Sequence, residues 1–135
     1  MRYDLRMTIE PVHLSILFCG DRDWTDYQAI FDVMTKFQPS LVIQGDAKGA
    51  DRIAGICADL LGIPQAIFPA NWKKYGRAAG PVRNKEMLVH LLKQPGEKMV
   101  FAFHDSLSTS KGTANMVKQA KKAGIHCKNI RHSTG

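Results

Sequence analysis

Five short apolar runs alternate with four longer amphipathic ones along this chain, and no other feature narrows its fold so far. The apolar runs at 14–19, 41–44, 65–68, 99–103 and 125–130 are each bounded by turn residues, as strands covered on both faces are. Between them, 27–37, 49–61, 82–92 and 113–123 carry apolar residues at helical spacing. Asp26 can cap the first helix, Pro39 lies just past its end, and Gly62 and Gly124 stand where left-handed C-terminal residues are expected. Strand–helix alternation predicts βαβ units, and their right-handed crossovers put helices on both faces of the sheet. The expected architecture is an α/β, Rossmann-like three-layer sandwich with a mainly parallel five-stranded sheet in the order 3-2-1-4-5.

A chain of 135 residues suits one domain, expected over 13–135, with residues 1–12 as an N-terminal arm. No apolar run approaches the ~20 residues of a bilayer span, so no membrane partner is expected. Arg2, Asp4, Arg6 and Glu10 interrupt the apolar core that a signal peptide needs, which points to a cytoplasmic protein. Cys19, Cys57 and Cys127 are odd in number and widely spaced, a pattern of buried reduced thiols rather than of disulfides or a metal site. The net charge of +7 favours anionic partners. One basic cluster is Lys73, Lys74, Arg77, Arg83 and Lys85; the other, Lys118, Lys121, Lys122, Lys128 and Arg131, also reads as the solvated face of the last helix.

In open parallel sheets ligands bind outside the carboxyl ends of the strands, so the residues after each strand carry the functional signal. After the first comes Gly20-Asp21-Arg22-Asp23-Trp24, and after the second Gly45-Asp46-Ala47-Lys48-Gly49-Ala50-Asp51. After the fourth, His104 to Ser110 leads into Lys111-Gly112-Thr113. Glycine lets backbone approach a ligand, and the helix N-terminus that follows offers N–H groups to phosphate oxygens. Any one of these turns reads equally as a plain turn with a helix cap, whereas three on one edge read as an anion cradle. Gly112-Thr113 after Ser108, Thr109 and Ser110 fits best, because hydroxyls and amides can converge there. Asp46 and Asp51 can accept hydrogen bonds from ribose hydroxyls or helix amides, with a helix cap the alternative for Asp51. Asp21 would repel phosphate unless paired, Arg22 and Arg83 being the candidate partners.

Residues 69–81 read as a long polar loop. Its Asn71, Trp72, Tyr75, Gly76, Arg77 and Gly80, followed by Arg83-Asn84, combine a stacking surface for a base with guanidinium forks for phosphate. Trp72 reads alternatively as an anchor of that loop in the core.

These segments, in order from about residue 14 to 127, resemble the SLOG superfamily and within it the YspA/YpsA-related branch. The resemblance implies a Rossmann-like fold that binds nucleotides or nucleotide derivatives. Its relatives include phosphoribohydrolases that activate cytokinin (LOG), sensors of ADP-ribose-type signals and the DNA-uptake protein DprA. By likeness the phosphate falls to Gly20, Gly45, Gly112 and Thr113, with Arg83 and Asn84 flanking the ligand. The wider set of expected ligand-binding residues adds Asp21, Arg22, Trp24, Asp46, Gly49, Asp51, Trp72 and Ser110. Asp21 stands where the branch commonly has Ser, and Lys48 where it has Arg. The glutamate that follows Gly-Thr in the cytokinin-activating relatives is absent, since Ala114, Asn115 and Met116 follow Thr113.

The leading expectation is thus a binding or sensing domain for a nucleoside monophosphate or ADP-ribose-like small molecule, with no cofactor and no metal. An N-glycosidic hydrolase is the alternative, with Asp46, Asp51 or Glu86 as general acid or base and Arg83 resembling the catalytic arginine. Nucleic-acid binding of the DprA kind is the less favoured third, and a homo-oligomer is compatible with all three.

Overall fold

The structure is a computed structural model that describes residues 13–132; the expected arm at 1–12 lies outside the described residues. In chain order the elements are β1 (Leu14–Gly20), α1 (Tyr27–Phe37), β2 (Leu41–Gln44), α2 (Ala50–Leu61), β3 (Gln65–Ile67) and α3 (Trp72–Tyr75). They continue with a 3-10 turn at Gly76–Ala78, α4 (Ala79–Lys93), β4 (Glu97–Phe103), a second 3-10 turn at Leu107–Thr109, α5 (Gly112–Lys122) and β5 (His126–Ile130). The sheet order is β3-β2-β1-β4-β5, and every neighbouring pair is parallel. This is the Rossmann-like architecture expected from the alternating runs.

The strand period of two divides the core into two layers. Ile16, Phe18, Phe101 and Phe103 face α1 and α2, against Ile30, Met34, Ile53 and Ala54. Leu17, Cys19, Val100 and Ala102 face the other way, onto Met87, Leu91, Met116 and Ala120 of α4 and α5. β1 is covered on both faces and both edges, and every residue from Leu14 to Cys19 is buried. β3 is a half-buried edge strand of three residues that stops before Phe68.

Caps end the helices where local chemistry dictates. Asp26 accepts from the Ala29 amide at 3.1 Å, and Gln38 takes the left-handed position at the end of α1. Gly62 does so for α2, and Gly124 has φ +75 just beyond α5. The cap of α2 is Gly49, so Asp51 lies inside the first turn and is not the capping residue. The expected loop at 69–81 also needs correction. Asn71 accepts from the Lys74 amide at 3.0 Å and starts α3, which passes through the 3-10 turn directly into α4. α4 begins before Pro81, because the first turn of a helix has no intrahelical use for the N–H that proline lacks.

Cys19, Cys57 and Cys127 are free thiols, and burial pushes all three pKa values up. Among the described residues no helix is long and apolar enough to cross a membrane.

Candidate functional site

The carboxyl ends of β1, β2 and β4 open onto one cleft, and the glycines there first serve the protein's own packing. A Cβ on Gly20 would lie 2.5 Å from the Phe103 carbonyl oxygen and 2.7 Å from the Ala50 Cβ. The Asp21 amide donates to that Phe103 oxygen at 2.9 Å, while the Ala50 amide donates to the Asp21 carbonyl at 3.1 Å. Gly49, at φ +89, lies so close to the Asp21 and Arg22 backbone that any side chain would overlap it. At Gly20 and Gly49, therefore, the close approach is made by the chain itself and not by a ligand.

Gly45 is enclosed by two charged groups. Its carbonyl accepts from Arg83 Nη1 at 2.6 Å, and its amide donates to Asp51 Oδ2 at 3.2 Å. Asp51 Oδ2 also accepts from the Ala47 amide at 3.4 Å. Only 4% exposed, Asp51 organises the β2 turn from below. Burial pushes its carboxyl up to about 6, although Arg83 and the Ala47 and Gly45 amides pull it down. From Arg83, Nε donates to Asn84 Oδ1 at 3.1 Å, and Asn84 Nδ2 donates to the Gly112 carbonyl and to Asn115 Oδ1, each at 3.1 Å. Arg83 and Asn84 thus tie the start of α4 to β2 on one side and to α5 on the other.

Asp21 finds its partner elsewhere than expected. Its Oδ1 accepts from the Asp23 amide at 2.9 Å, and its Oδ2 faces His104 Nε2 at 3.8 Å; neither Arg22 nor Arg83 pairs with it. Ser110 Oγ accepts from the Thr113 and Ala114 amides at 3.1 and 3.3 Å. The serine therefore caps α5 itself and occupies two of the amides that the cradle was expected to offer a phosphate. Trp72 is 59% exposed and stands against Gly80, as a wall of the cleft and not as a core anchor. Of the two tryptophans it is Trp24 that lies in the core, at 2% exposure.

The cleft holds about 450 Å³. Every expected ligand-binding residue lines it except Trp24, Gly45, Asp46 and Gly49. Asp46 directs its carboxylate to Arg52 Nε, 3.5 Å away on the exposed surface, and Glu86 lies on the outer face of α4 near His90. Neither of these candidate acids reaches the cleft. His104, Lys111 and Asp23 line it without having been singled out. Their signal was position, since His104 and Lys111 flank the turn after the fourth strand and Asp23 the turn after the first. Arg22, Arg83 and Lys111 bring three cations against the three carboxylates of Asp21, Asp23 and Asp51. Although the chain is strongly basic, its cleft is balanced in charge.

Asp51 makes the stability depend on pH. An unfolded aspartate titrates near ~3.9, so the raised folded value contributes stability that is fully present below that pH and lost as pH rises through about 6. At ~1.4 kcal/mol per unit the gain reaches about 3 kcal/mol. Urea unfolding between pH 7.5 and pH 4 should show the parent gaining most of that relative to Asp51→Asn; parallel curves would mean that the carboxyl is not held in this state.

Residues 14–75 match the model of the YAcAr family, described as the YspA, cpYpsA-related SLOG family. The gene 61 protein of Mycobacterium phage D29 is 31% identical over 120 residues, which cover 82% of this chain and 90% of the phage protein. Among solved structures, DNA processing protein A (DprA) from Streptococcus pneumoniae matches with a TM-score of 0.69 and 15% identity over 90% of this chain. The chain spans about half of that protein, 52% of its length, and at this identity the likeness is one of fold.

Proposed function

We propose, since the chain belongs to the YspA, cpYpsA-related SLOG family, that it binds a phosphate-bearing nucleotide-derived small molecule at the carboxyl edge of its sheet, as a binding or sensing domain. The observation that carries this reading is the exposed Trp72 indole in one cleft with the Arg83 guanidinium. A base can stack on the first, while the second, with Arg22 and Lys111, offers charge-assisted hydrogen bonds to phosphate. The balanced charge of the lining suits a ligand with one compact anionic group better than a long phosphate backbone, which needs a stripe of unopposed cations. This favours a small molecule over nucleic acid. Free thiols fit a reducing, cytoplasmic setting.

Thermal unfolding against AMP, NAD, ADP-ribose and related metabolites tests the reading. A ligand at ~100 times its Kd stabilises the native state by about 2.7 kcal/mol, so at least one clear upward shift is expected. No shift across the panel, with no metabolite co-purifying in native mass spectrometry, would remove the ligand-binding reading.

A hydrolytic alternative is favoured by one feature, the Asp51 carboxyl raised to about 6, close to the pH at which it could exchange a proton. Against it, Asn115 Oδ1 is engaged by Asn84 and Gln119, and the α5 start supplies no carboxylate. Chromatography of the same incubated samples separates the two readings, because a hydrolase would release free base and a sensor would return its ligand intact.

A further inference from the structure

We propose that the groove between α4 and α5, on their solvent side, docks an acidic amphipathic helix of a partner protein.

The distribution of charge points there first. The chain carries a net charge of +7, yet in the cleft three cations meet three carboxylates. On α4 and α5 the exposed lysines are Lys85, Lys93, Lys118, Lys121 and Lys122, against the single exposed carboxylate of Glu86. Among the described residues none of these lysines pairs with a carboxylate. The helices on the other face of the sheet, α1 and α2, instead offset exposed Lys36 and Arg52 with exposed Asp32 and Asp59. Of the two helical faces, only that of α4 and α5 is strongly basic.

Between the lysines the surface is apolar. Val82, Val89 and Leu92 stand at helical spacing along α4 and, with the nearly buried Leu88 and with Ala123 at the end of α5, line a groove of about 560 Å³. Val89 and Leu92 are 39% and 45% exposed, so adjoining apolar surface is left open to water. Lys85 stands on the α4 wall and Lys122 on the α5 wall. The one neutral polar side chain in the lining, Gln119, already donates to Asn115 Oδ1 at 2.7 Å. A small polar ligand finds few partners in such a groove, whereas an apolar stripe flanked by carboxylates matches both its floor and its walls. From Val82 to Leu92 the floor extends ~15 Å along α4, about three turns of a docked helix anchored at i, i+4 and i+7.

The same features disfavour other occupants. A second copy would bring lysine walls against lysine walls, with only Glu86 to offset them. A nucleic-acid backbone would satisfy the lysines but leave Val82, Val89 and Leu92 against a charged strand. A membrane takes up protruding apolar side chains, and here they line a hollow between cations.

Fluorescence anisotropy of the whole protein with two synthetic helical peptides tests this. One carries leucines at i, i+4 and i+7 flanked by glutamates, and its counterpart carries lysines in place of the glutamates. The parent should bind the acidic peptide roughly tenfold or more tightly than the basic one. Lys85→Glu combined with Lys122→Glu should invert that preference, and Leu92→Ser should weaken the acidic peptide by roughly fivefold or more. All three positions are exposed, so thermal unfolding should show each variant folded. Equal binding of the two peptides, no binding of either, or an acidic preference that survives the double reversal overturns the proposal. So does tighter binding of an oligothymidylate or of phosphatidylglycerol vesicles than of the acidic peptide, or self-association of the parent that Leu92→Ser abolishes.

Discussion

Truncating Trp24 to alanine should cost roughly 3 to 5 kcal/mol of folding free energy, the range for deleting a large buried aromatic. The indole packs on Phe103 with ring centres 5.6 Å apart and is stacked on its other side by His132 at 3.7 Å. Its Nε1 donates to the Asp26 carbonyl at 2.9 Å, and its backbone amide closes the β1 turn onto the Asp21 carbonyl at 3.1 Å. The substitution therefore opens a cavity and releases the turn that carries Asp21. Guanidinium-chloride unfolding should show the midpoint falling with little change in slope. A loss below about 1 kcal/mol would mean that the turn is anchored elsewhere.

Arg83→Ala is expected to cost about 2 to 4 kcal/mol at pH 7.5, because it strips the cation from a buried carboxylate and a donor from the Gly45 carbonyl. The sequence alone suggests a ligand-contacting arginine whose loss would spare the fold; its contacts assign it both duties. Without the guanidinium, Asp51 loses the charge that pulls its carboxyl down and rises above about 6. Below that pH the parent's carboxyl is already largely protonated, so the penalty should shrink at pH 5. Adding Asp51→Asn should restore part of the stability at pH 7.5 and none of the ligand affinity. A penalty that is the same at both pH values would sink the electrostatic account and leave only lost packing.

The strands and long helices were legible because their signal is local. Five apolar runs and four amphipathic ones place each strand and each long helix within a few residues, and crossover handedness orders the sheet. What lay beyond reach depended on tertiary partners. Trp24 and Trp72 both follow strands, yet one packs on Phe103 and the other stands in solvent, and no local pattern distinguishes them. Asp51 lies two positions inside a helix whose cap is a glycine, a shift that turns a capping carboxylate into a buried support for the β2 turn. The pairing of Asp21 with His104 joins the ends of two strands that are neighbours only in the finished sheet. In 69–81 the density of Lys, Arg and Gly hides the Asn71 cap and the tolerance of Pro81 in a first turn.

The central position of β1 also governs when the cleft can exist. On a growing chain β1 can pair with β2 as soon as α1 has formed, but its other edge waits until Phe103 has been synthesised. Closing so long a loop is entropically unfavourable, and pairing of that range is slow. Until then β1 presents a row of open backbone groups, and the nascent protein carries as a bare edge the strand that is most deeply buried in the finished fold. The stretch that matches the family model, residues 14–75, ends before Arg83, His104 and the start of α5 emerge. On the proposed reading, a ligand would find its full set of contacts only after the slow stage. Such a ligand would act on the finished sheet alone, retarding unfolding without hastening assembly.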